Sequence, residues 1–421
     1  MKTVIIYIFF LSQTFLTYSQ EVYTIAGSSI GFLNGNSTSA KFKFPTGICK
    51  DAFGIIYVAD NDNHIIRKIT PTGDVSTFAG SGIQGDADGI NTEARFDSPF
   101  GVCIDLNGNV YVADKGNNKI RKITPSGVVT TLAGSTMGFA NGVGSNARFN
   151  SPFGICVDLI GNVYVADYGN HKVRKINPLG IVTTVAGSTQ GYQDGLSTNA
   201  KFNYLRGICV DLNGIIYVAD YSNQKIRKIN LDGSVVTVAG TIEGYLNGIG
   251  TVAQFNYPSG ISVDASGNLY VVEEYNHTVR IIKTSGDVAT YAGTEPGFLD
   301  GPTSIAKFFQ PCGIFIDDLE DIYIADQSNQ KIRKISKTLS NNTNSSEGFT
   351  FSISPNPTSK NLIINLPVDS ELKTTTIYSS LGQLIKKEKH NNIDVSNLSK
   401  GTYFIEVETN KGKAIKSFIK E

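Results

Sequence analysis

The sequence of 421 residues contains no tryptophan, two methionines and four histidines. Its 37 basic and 37 acidic side chains cancel. It therefore lacks the basic excess that a general nucleic-acid binder uses to release counterions. Glycine is abundant at 43 residues, and tyrosine (19) and phenylalanine (23) are frequent. This composition predicts short strands and tight turns, and it excludes a coiled coil, a disordered chain and a polytopic membrane protein.

Long apolar runs are equally scarce, and the N-terminus holds the exception. Lys2 precedes an unbroken apolar run from Val4 to Leu11, and small residues follow at positions 17 and 19. This pattern is typical of a secretory signal peptide, so we expect residues 1–20 to be one, cleaved after Ser19 or Gln20. A membrane anchor is disfavoured because a span needs about 20 apolar residues. We expect an exported mature chain without a transmembrane segment.

A repeat of about 53 residues organises most of the chain. Each unit contains four β-type runs separated by glycine and proline turns, which predicts a four-stranded antiparallel meander. Six such units predict a six-bladed β-propeller over residues 21–337. The motif Tyr-Val-Ala-Asp or a close variant marks the units, beginning at Tyr57, Tyr111, Tyr164, Tyr217, Tyr270 and Tyr323.

The two ends of the array complement each other. A run of the type Val-x-Thr-x-Ala-Gly closes units one to five, but none follows Ile335 in the sixth unit. An extra copy precedes the first unit, as Val22 to Gly27. We therefore expect residues 22–26 to pair with the last blade and close the ring, because an open propeller would leave unpaired strand edges.

The units resemble NHL repeats. The resemblance rests on Asn63-His64-Ile65-Ile66-Arg67-Lys68-Ile69, Pro45-Thr46-Gly47-Ile48 and Tyr57-Val58-Ala59-Asp60, and on the same runs in the other units. It implies a propeller that binds partners through its top or bottom face. A minority of related propellers, such as lactonases and an amidating lyase, are enzymes with a metal ion in the central channel. Two departures from the pattern are Leu205 in place of proline and Glu273 in place of aspartate.

The C-terminus has a different texture. Residues 338–347 are polar and aperiodic and predict a linker, whereas residues 348–421 show the apolar alternation of a small β-sandwich. This segment resembles a type IX secretion sorting domain of type A, which implies contact with the type IX secretion machinery, removal of the domain, and a product freed or attached to surface lipopolysaccharide. The alternative is an ordinary adhesion module. The motifs that carry the resemblance include Pro355, Asn356, Pro357, Gly382, Gln383, Gly401 and Tyr403.

Five cysteines raise the question of disulfides or metal binding. Cys49, Cys103, Cys156 and Cys209 share one position in four successive units. Equivalent positions around a ring exceed the Cα separation of ~7 Å that a disulfide tolerates, and no CxxC spacing suggests a metal ring. We interpret the four as small buried side chains. Cys312 is off this register and is expected to be exposed.

Other repeated polar residues have structural interpretations. We interpret His64, His171 and His277 as local hydrogen-bonding residues rather than a three-histidine metal site. The acid ending each Tyr-Val-Ala-Asp motif and the arginine of the next run predict a cross-strand ion pair. Asx-Gly pairs between units predict turns rather than calcium ligands. No catalytic residue, metal or cofactor is predicted.

Function is sought among the residues that do not repeat. Residues 3–347 have 26 basic and 30 acidic side chains, net −4, and residues 348–421 have net +3, so export and charge both disfavour RNA. We expect a secreted or surface-displayed module that binds a protein or a glycan; the alternative is a hydrolase or lyase with a channel metal. Aromatic rings between the units suit sugar or peptide binding, unless they wedge between blades. The candidate binding residues are Arg206, Glu273, Glu274, Tyr275, Tyr192, Tyr245 and Asp318.

Overall fold

The computed structural model describes residues 18–339, 351–367, 369–379 and 384–421. Two compact units are distinguished, one from Gln20 to Lys337 and the other containing Thr338–Glu421. Most of the predicted signal peptide and linker, together with Gly382 and Gln383, lie outside the described residues. Among the described residues, no helix is long and apolar enough to cross a membrane.

The first unit is a six-bladed β-propeller, as predicted. Each blade is an antiparallel sheet whose strands follow one another from the central axis outwards. The inner strands of neighbouring blades touch in sequence, and the sixth touches the first. The inner strands are Pro45–Lys50, Pro99–Ile104, Pro152–Val157, Leu205–Val210, Pro258–Val263 and Pro311–Ile316. The second strands are Ile56–Asp60, Val110–Asp114, Val163–Asp167, Ile216–Asp220, Leu269–Glu273 and Ile322–Asp326.

The two outer layers of each blade are the third and fourth strands. The third strands are Ile65–Ile69, Lys119–Ile123, Lys172–Ile176, Lys225–Ile229, Thr278–Ile282 and Lys331–Leu339. The fourth strands of blades one to five are Val75–Ala79, Val128–Gly134, Ile181–Ala186, Ser234–Ala239 and Asp287–Ala292. The third strand of blade six therefore extends two residues into the predicted linker.

The connectors between blades add short elements. A two-residue strand pairs with the fourth strand in blades two to six, so these sheets have five strands and blade one has four. These short strands are Gly89–Ile90, Gly142–Val143, Gly195–Leu196, Gly248–Ile249 and Gly301–Pro302. Short 3-10 helices occupy Asn61–Asn63, Asn91–Glu93, Gly144–Asn146, Tyr168–Asn170, Ser197–Asn199, Tyr221–Asn223, Gly250–Val252 and Gln327–Asn329.

The N-terminal strand Tyr18–Ala26 is the fourth strand of blade six and closes the ring, as predicted. Val22 pairs with Gly301 of the last connector and is buried. The backbone N–H of Thr24 donates to Asp300 Oδ2 at 3.1 Å. Paired on both sides, this strand leaves no open edge between the first and last blades.

A buried ion pair stabilises every blade. An arginine of the third strand meets the acid that ends the second strand at N–O separations of 2.6–3.0 Å, with neither side chain exposed. In blade three, Arg174 also donates to the carbonyl oxygen of Ala140 at 2.7 Å and to Asn141 Oδ1 at 2.8 Å. The prediction that the Asx-Gly pairs form turns is wrong: their glycines begin the short connector strands, or bridge Val75 in the case of Gly35, and the Asx side chains supply acceptors to the buried arginines.

Aromatic rings cover the same arginines. One fully buried phenylalanine from each connector packs between neighbouring blades, as in the cluster that holds Phe96 with Ala59 and Val112. The Arg121 guanidinium lies 5.2 Å from the centroid of that ring. The set comprises Phe42, Phe96, Phe149, Phe202, Phe255 and Phe308. Burial of these rings stabilises the contacts between blades, because the free energy gained on folding grows with the apolar area removed from water.

The second unit is the predicted small β-sandwich. One sheet contains Ser352–Ser354, Asn361–Asn365 and Asn392–Asp394, and the other contains Leu384–Glu388, Leu372–Ser379, Gly401–Thr409 and Gly412–Lys420. Side chains from both sheets, such as Leu362 and Ile405, share one core. Asn356 Oδ1 accepts a hydrogen bond from the Ile419 N–H at 2.8 Å, and Tyr403 donates to the Ser399 carbonyl at 3.0 Å. These contacts give two of the sorting-motif residues structural roles in the sandwich.

Candidate binding site at the channel mouth

Glycine fixes the narrow part of the central channel. Each inner strand carries a glycine at which a β-carbon would come within 3.0 Å of a backbone carbonyl oxygen of the next blade, closer than real β-carbons approach. Only glycine permits this spacing between strands. The six glycines are Gly47, Gly101, Gly154, Gly207, Gly260 and Gly313.

The residue before each of these glycines differs from blade to blade, although the flanking residues barely change. These residues lie at the end of the channel where the inner strands begin, which we call the channel mouth, and all except the one from blade three line a cavity on the axis. In blade order they are Thr46, Phe100, Phe153, Arg206, Ser259 and Cys312.

Two further positions vary at the same end. The residue after the buried acid is Asn61, Lys115, Tyr168, Tyr221, Glu274 or Gln327 in blade order. The residue before the inner strand is Phe44, Ser98, Ser151, Tyr204, Tyr257 or Gln310, and all six have a positive φ of 49–58°. Left-handed backbone is costly for bulky residues, and it persists where the surroundings fix it. The strained rim and the variable positions coincide at the channel mouth.

A side chain of the preceding blade holds each residue of this rim. His64 Nδ1 accepts a hydrogen bond from the Ser98 N–H at 3.0 Å, and Asn118 Oδ1 accepts from the Ser151 N–H at 2.8 Å. Histidine, asparagine and glutamine serve equally because each offers one acceptor. The histidines thus have the local hydrogen-bonding role that was predicted. The other four acceptors are His171, Gln224, His277 and Gln330.

Rings from blades two to five form two series that Arg206 links, and we call the two together the aromatic arc. The ring of Phe153 lies 4.3 Å from Phe100 and is stacked on Tyr168 at 4.2 Å, centroid to centroid. At the three variable positions, blades six and one carry amides, small side chains and a single ring, that of Phe44, so most rings of the mouth lie on one side. The arc comprises Phe100, Phe153, Tyr168, Tyr204, Tyr221, Tyr257 and Tyr275.

A charged cluster lies in the middle of the arc. The Arg206 guanidinium lies 3.8 Å from the centroid of Tyr221 and 5.4 Å from that of Phe153. It forms an ion pair with Glu274, which also accepts a hydrogen bond from the Tyr221 hydroxyl at 2.8 Å. Burial is the largest single influence and lowers the pKa of Arg206, but Glu274 together with Cys312, Tyr221 and Tyr168 outweighs it, so the pKa is raised. Arg206 and Glu274 therefore neutralise each other.

Lys115 supplies a second cation. Its ammonium lies 4.8 Å from the centroid of Phe153 and 5.8 Å from that of Phe100, which is cation–π geometry. Burial, followed by the nearby charge of Arg206, lowers the pKa of Lys115. Beside these groups, a cavity of about 70 Å³ lies on the axis and includes Arg206, Ser259 and Cys312 in its wall. It has room for a few water molecules or one small polar group.

The predicted binding residues fall in several places. The structure brings Arg206, Glu274 and Tyr275 together at the channel mouth, where Tyr275 is half exposed. Glu273 lies elsewhere: it is the acid of the blade-five ion pair, is fully buried and bonds Arg280 at 3.0 Å. Its carboxylate faces the interior of the blade, out of reach of a ligand.

Tyr192 and Tyr245 belong to a different repeated feature. Each covers the buried arginine of its blade, with Tyr192 5.0 Å from Arg227 and Tyr245 5.4 Å from Arg280, and each ring is about half exposed. Asp318 lies at the opposite end of the propeller, in the turn after the inner strand of blade six. There it lines a cavity of about 560 Å³.

The cysteines of the inner strands are free thiols with buried or half-buried side chains, as interpreted from the sequence. Cys312 departs from its prediction. It is 2% exposed rather than on the surface, because it occupies the variable axial position between Ser259 of blade five and Thr46 of blade one. Burial raises the pKa of Cys312 to about 11.

Most of the arc and Lys115 escaped the sequence analysis. The search was for residues that occur once, whereas the site is built from repeat positions whose residue type changes between blades. An alignment of the six units, position by position, contains that signal, since the variable positions stand between nearly invariant ones.

The end opposite the mouth, which we call the turn face, is apolar. Every large apolar side chain more than 70% exposed in the described residues lies in a turn at this face. These are Phe53, Leu106, Ile160, Leu179, Leu212, Leu231 and Leu319. Contiguous exposed apolar surface of this kind is typical of interaction sites.

Comparison with protein families finds two matches. Residues 96–123, 149–176, 202–229 and 255–282 match the NHL repeat, and residues 352–421 match the secretion system C-terminal sorting domain. The NHL matches cover blades two to five.

Two curated relatives contain a similar region. Protein SUPPRESSOR OF QUENCHING 1, chloroplastic, of Arabidopsis thaliana is 29% identical over 307 residues, which are 66% of this chain and 28% of that protein. NHL repeat-containing protein 2 of Homo sapiens is 28% identical over 324 residues, 66% of this chain and 44% of that protein. The chain thus spans less than half the length of either relative.

Solved structures share the fold. An auxiliary nutrient binding protein from Bacteroides thetaiotaomicron has a TM-score of 0.59 at 18% identity, covering 76% of this chain and 77% of that one. The gluconolactonase XC5397 from Xanthomonas campestris has a TM-score of 0.51 at 13% identity, covering 75% and 89%. At these identities the likeness concerns the fold alone. The sorting domain implies contact with the type IX machinery and export to the cell surface or extracellular space. This chain is therefore a six-bladed propeller that contains NHL repeats in blades two to five, with a type IX sorting domain at residues 352–421.

Proposed function

We propose that the protein is an exported binding protein that takes a glycan, or a segment of another protein, at the channel mouth. The asymmetry of the mouth carries this proposal. Six near-identical units place most of their rings on one side and amides on the other, and three variable positions of the repeat meet there. A role in the fold alone would be met by the same residue in every blade, as it is for the buried arginine.

The chemistry of the arc favours a glycan. Flat rings offer apolar faces, and the tyrosine hydroxyls and the Arg206–Glu274 pair offer hydrogen bonds around them. Small-ligand sites have this composition, with aromatic walls and few polar groups. A binding role for this fold is also suggested by the name of the structurally similar Bacteroides protein, an auxiliary nutrient binding protein.

A channel-metal hydrolase or lyase receives less support. Such a centre requires several carboxylate or imidazole ligands at the axis, but the variable residues that line the axial cavity are Thr46, Phe100, Arg206, Ser259 and Cys312. Among the described residues, no group of three or more His, Cys, Asp or Glu side chains is placed to hold a metal ion. The residues of the mouth do not fit a metal centre.

The maturation of the chain is part of the proposal. We propose that residues 1–20 are removed as a signal peptide and residues 348–421 after export, leaving the propeller in the medium or on the cell surface. Mass spectrometry of the culture medium and the surface fraction is expected to recover peptides of residues 21–337 and none of residues 348–421. Peptides of both regions in equal yield would contradict removal of the sorting domain.

Binding at the mouth is tested with a matched pair of variants. Tyr168→Ala removes a ring from the arc, whereas Tyr192→Ala removes a half-exposed ring outside the mouth. The chain lacking only its signal peptide, residues 21–421, which we call the mature chain in all experiments below, is screened on a glycan array, and the affinity of each hit is measured by calorimetry. We expect Tyr168→Ala to weaken binding at least tenfold and Tyr192→Ala to leave it unchanged. Equal affinities for the two variants would overturn the mouth as the binding site, and a protein captured only by chains with an intact arc would favour the protein alternative.

A further inference from the structure

The charges at the channel mouth do not balance. Arg206 is neutralised by Glu274, with side chains 15% and 12% exposed. Lys115 contacts ring faces only and forms no ion pair within the described residues. One positive charge is therefore left over beside the arc.

Acidic groups in the neighbourhood are already engaged. Asp62 and Asp97 are the carboxylates whose charges act on Lys115 from its surroundings. Asp62 pairs with Lys43 at 3.8 Å, and Asp97 accepts hydrogen bonds from Gln84 at 3.0 Å and from the Ser98 hydroxyl at 3.1 Å. Neither neutralises the Lys115 ammonium directly.

One hydrogen-bond donor also remains free there. Arg206 Nε is buried and has no partner within the described residues. The Ser259 hydroxyl, by contrast, accepts from Arg206 Nη1 at 3.5 Å and lies 3.6 Å from the Cys312 thiol. Arg206 lines the axial cavity of about 70 Å³. A donor without an acceptor beside an unpaired ammonium favours a group that only accepts, as an ionised carboxylate does.

We propose that the ligand is an acidic saccharide, whose carboxylate is received between Lys115 and Arg206 while its sugar rings lie on the aromatic arc. The Lys115 ammonium and the Arg206 guanidinium lie 4.8 Å and 5.4 Å from the centroid of Phe153, so the two cations adjoin one ring, and we place the carboxylate at the edge of that ring. The rings of Tyr168 and Tyr204, 4.7 Å apart, continue the surface away from the cavity. This inference rests on the proposed binding function and specifies in addition that the ligand is negatively charged.

The test compares tri-galacturonic acid with its methyl ester, which keeps the sugar rings and removes the charge. Kd values are measured by calorimetry with the mature chain and with two variants, Lys115→Met and Lys175→Met. The Lys175 ammonium also lies over a tyrosine, 5.7 Å from the centroid of Tyr164, but outside the mouth. We expect the acid to bind at least tenfold more tightly than the ester, and this preference to disappear in Lys115→Met but not in Lys175→Met.

The outcomes separate the two proposals. If the acid and the ester bind equally well and Tyr168→Ala weakens the binding of both, the proposal of an acidic ligand is overturned, while the mouth remains a glycan site. A preference for the acid that survives Lys115→Met would also overturn the inference. Binding of an oligo-glutamate peptide without any binding of the saccharides would assign the site to an acidic protein segment. No binding of any probe, charged or neutral, would contradict both proposals.

Discussion

The α-carbon of Gly154 lies against the backbone carbonyl of Arg206, so closely that a β-carbon at residue 154 would come within 3.0 Å of that oxygen. The same relationship recurs between every pair of neighbouring blades. The inner strands therefore approach one another by backbone, and the side chain before each glycine is turned to the axis. This close approach of the inner strands brings one variable side chain from each of the six blades to the channel mouth.

Gly154→Ala is expected to destabilise the propeller by at least about 3 kcal/mol, the upper end of the cost of overpacking. The added methyl group meets a backbone oxygen, which cannot move aside as a flexible side chain can. Urea unfolding of the mature chain measures the change. The control is Ser259→Ala, at the residue before the equivalent glycine of blade five, which is expected to lower the free energy of unfolding by no more than about 1 kcal/mol. A stable Gly154→Ala variant would show that the inner strands can separate.

Glu273 is expected to behave as a structural residue. Glu273→Gln leaves Arg280 buried without a counter-charge and is expected to cost about 3–5 kcal/mol. Glu273→Asp restores the residue of the other five blades and is expected to cost about 1 kcal/mol, the price of one lost methylene. Thermal unfolding followed by circular dichroism distinguishes the two. If Glu273→Asp abolished ligand binding in a folded chain, Glu273 would be a binding residue after all.

Stability is expected to depend on pH through His171. Burial lowers the pKa of His171, so the folded chain keeps the ring neutral at pH values where the unfolded chain binds a proton. The contribution of His171 is therefore complete above the unfolded pKa of about 6.5 and is lost as the pH falls below it. Protonation of Nδ1 also removes the acceptor for the Tyr204 N–H, which lies at 3.1 Å.

The variant His171→Asn tests this dependence, since Asn118 forms the same bond in blade two. We expect its stability at pH 7 to lie within about 1 kcal/mol of the parent chain, and its stability to fall less between pH 7 and pH 5. The reciprocal change Asn118→His is expected to increase the pH dependence. Free energies from urea titrations at several pH values measure both. Parallel profiles for all three chains would contradict a role of the imidazole.

Deleting residues 21–27 is expected to open the ring. The deletion removes most of the strand that pairs with Gly301–Pro302, including the buried side chain of Val22. We expect the melting temperature to fall by at least about 10 °C, because each kcal/mol lowers it by about 2–4 °C in a domain of this size class. Calorimetry of the mature and shortened chains measures the shift. An unchanged melting curve would mean that the last blade is complete without this strand.

The fold could be predicted from the sequence because the number and internal order of the repeats define the blades and their strands. Six copies of one pattern predict six blades, and the misplaced copy at Val22–Gly27 predicts the closing strand. The buried pair of Arg174 and Asp167 follows from their places in adjacent strands. Local patterns of this kind survive in the structure because each blade repeats the same packing.

The candidate site was only partly accessible to sequence reasoning. Arg206 and Glu274 stood out because neither residue type recurs at its position, and they do meet at the mouth. Glu273 stood out in the same way, yet it faces the opposite direction because neighbouring residues of a strand point to opposite sides. Lys115 and Phe153 were overlooked, since their contact depends on how two blades are rotated about the axis. That rotation is a property of the assembled ring.

The closing strand has a consequence for how the molecule comes apart. Thr24 and Asp300 are joined by a hydrogen bond across 276 positions of the sequence. Linear repeat arrays lose their terminal units first, because each unit contacts only its neighbours. Here the first and last segments share one sheet, so the array has no terminal unit to fray. We therefore expect the propeller to resist proteases at its ends and to unfold as a whole once blade six opens.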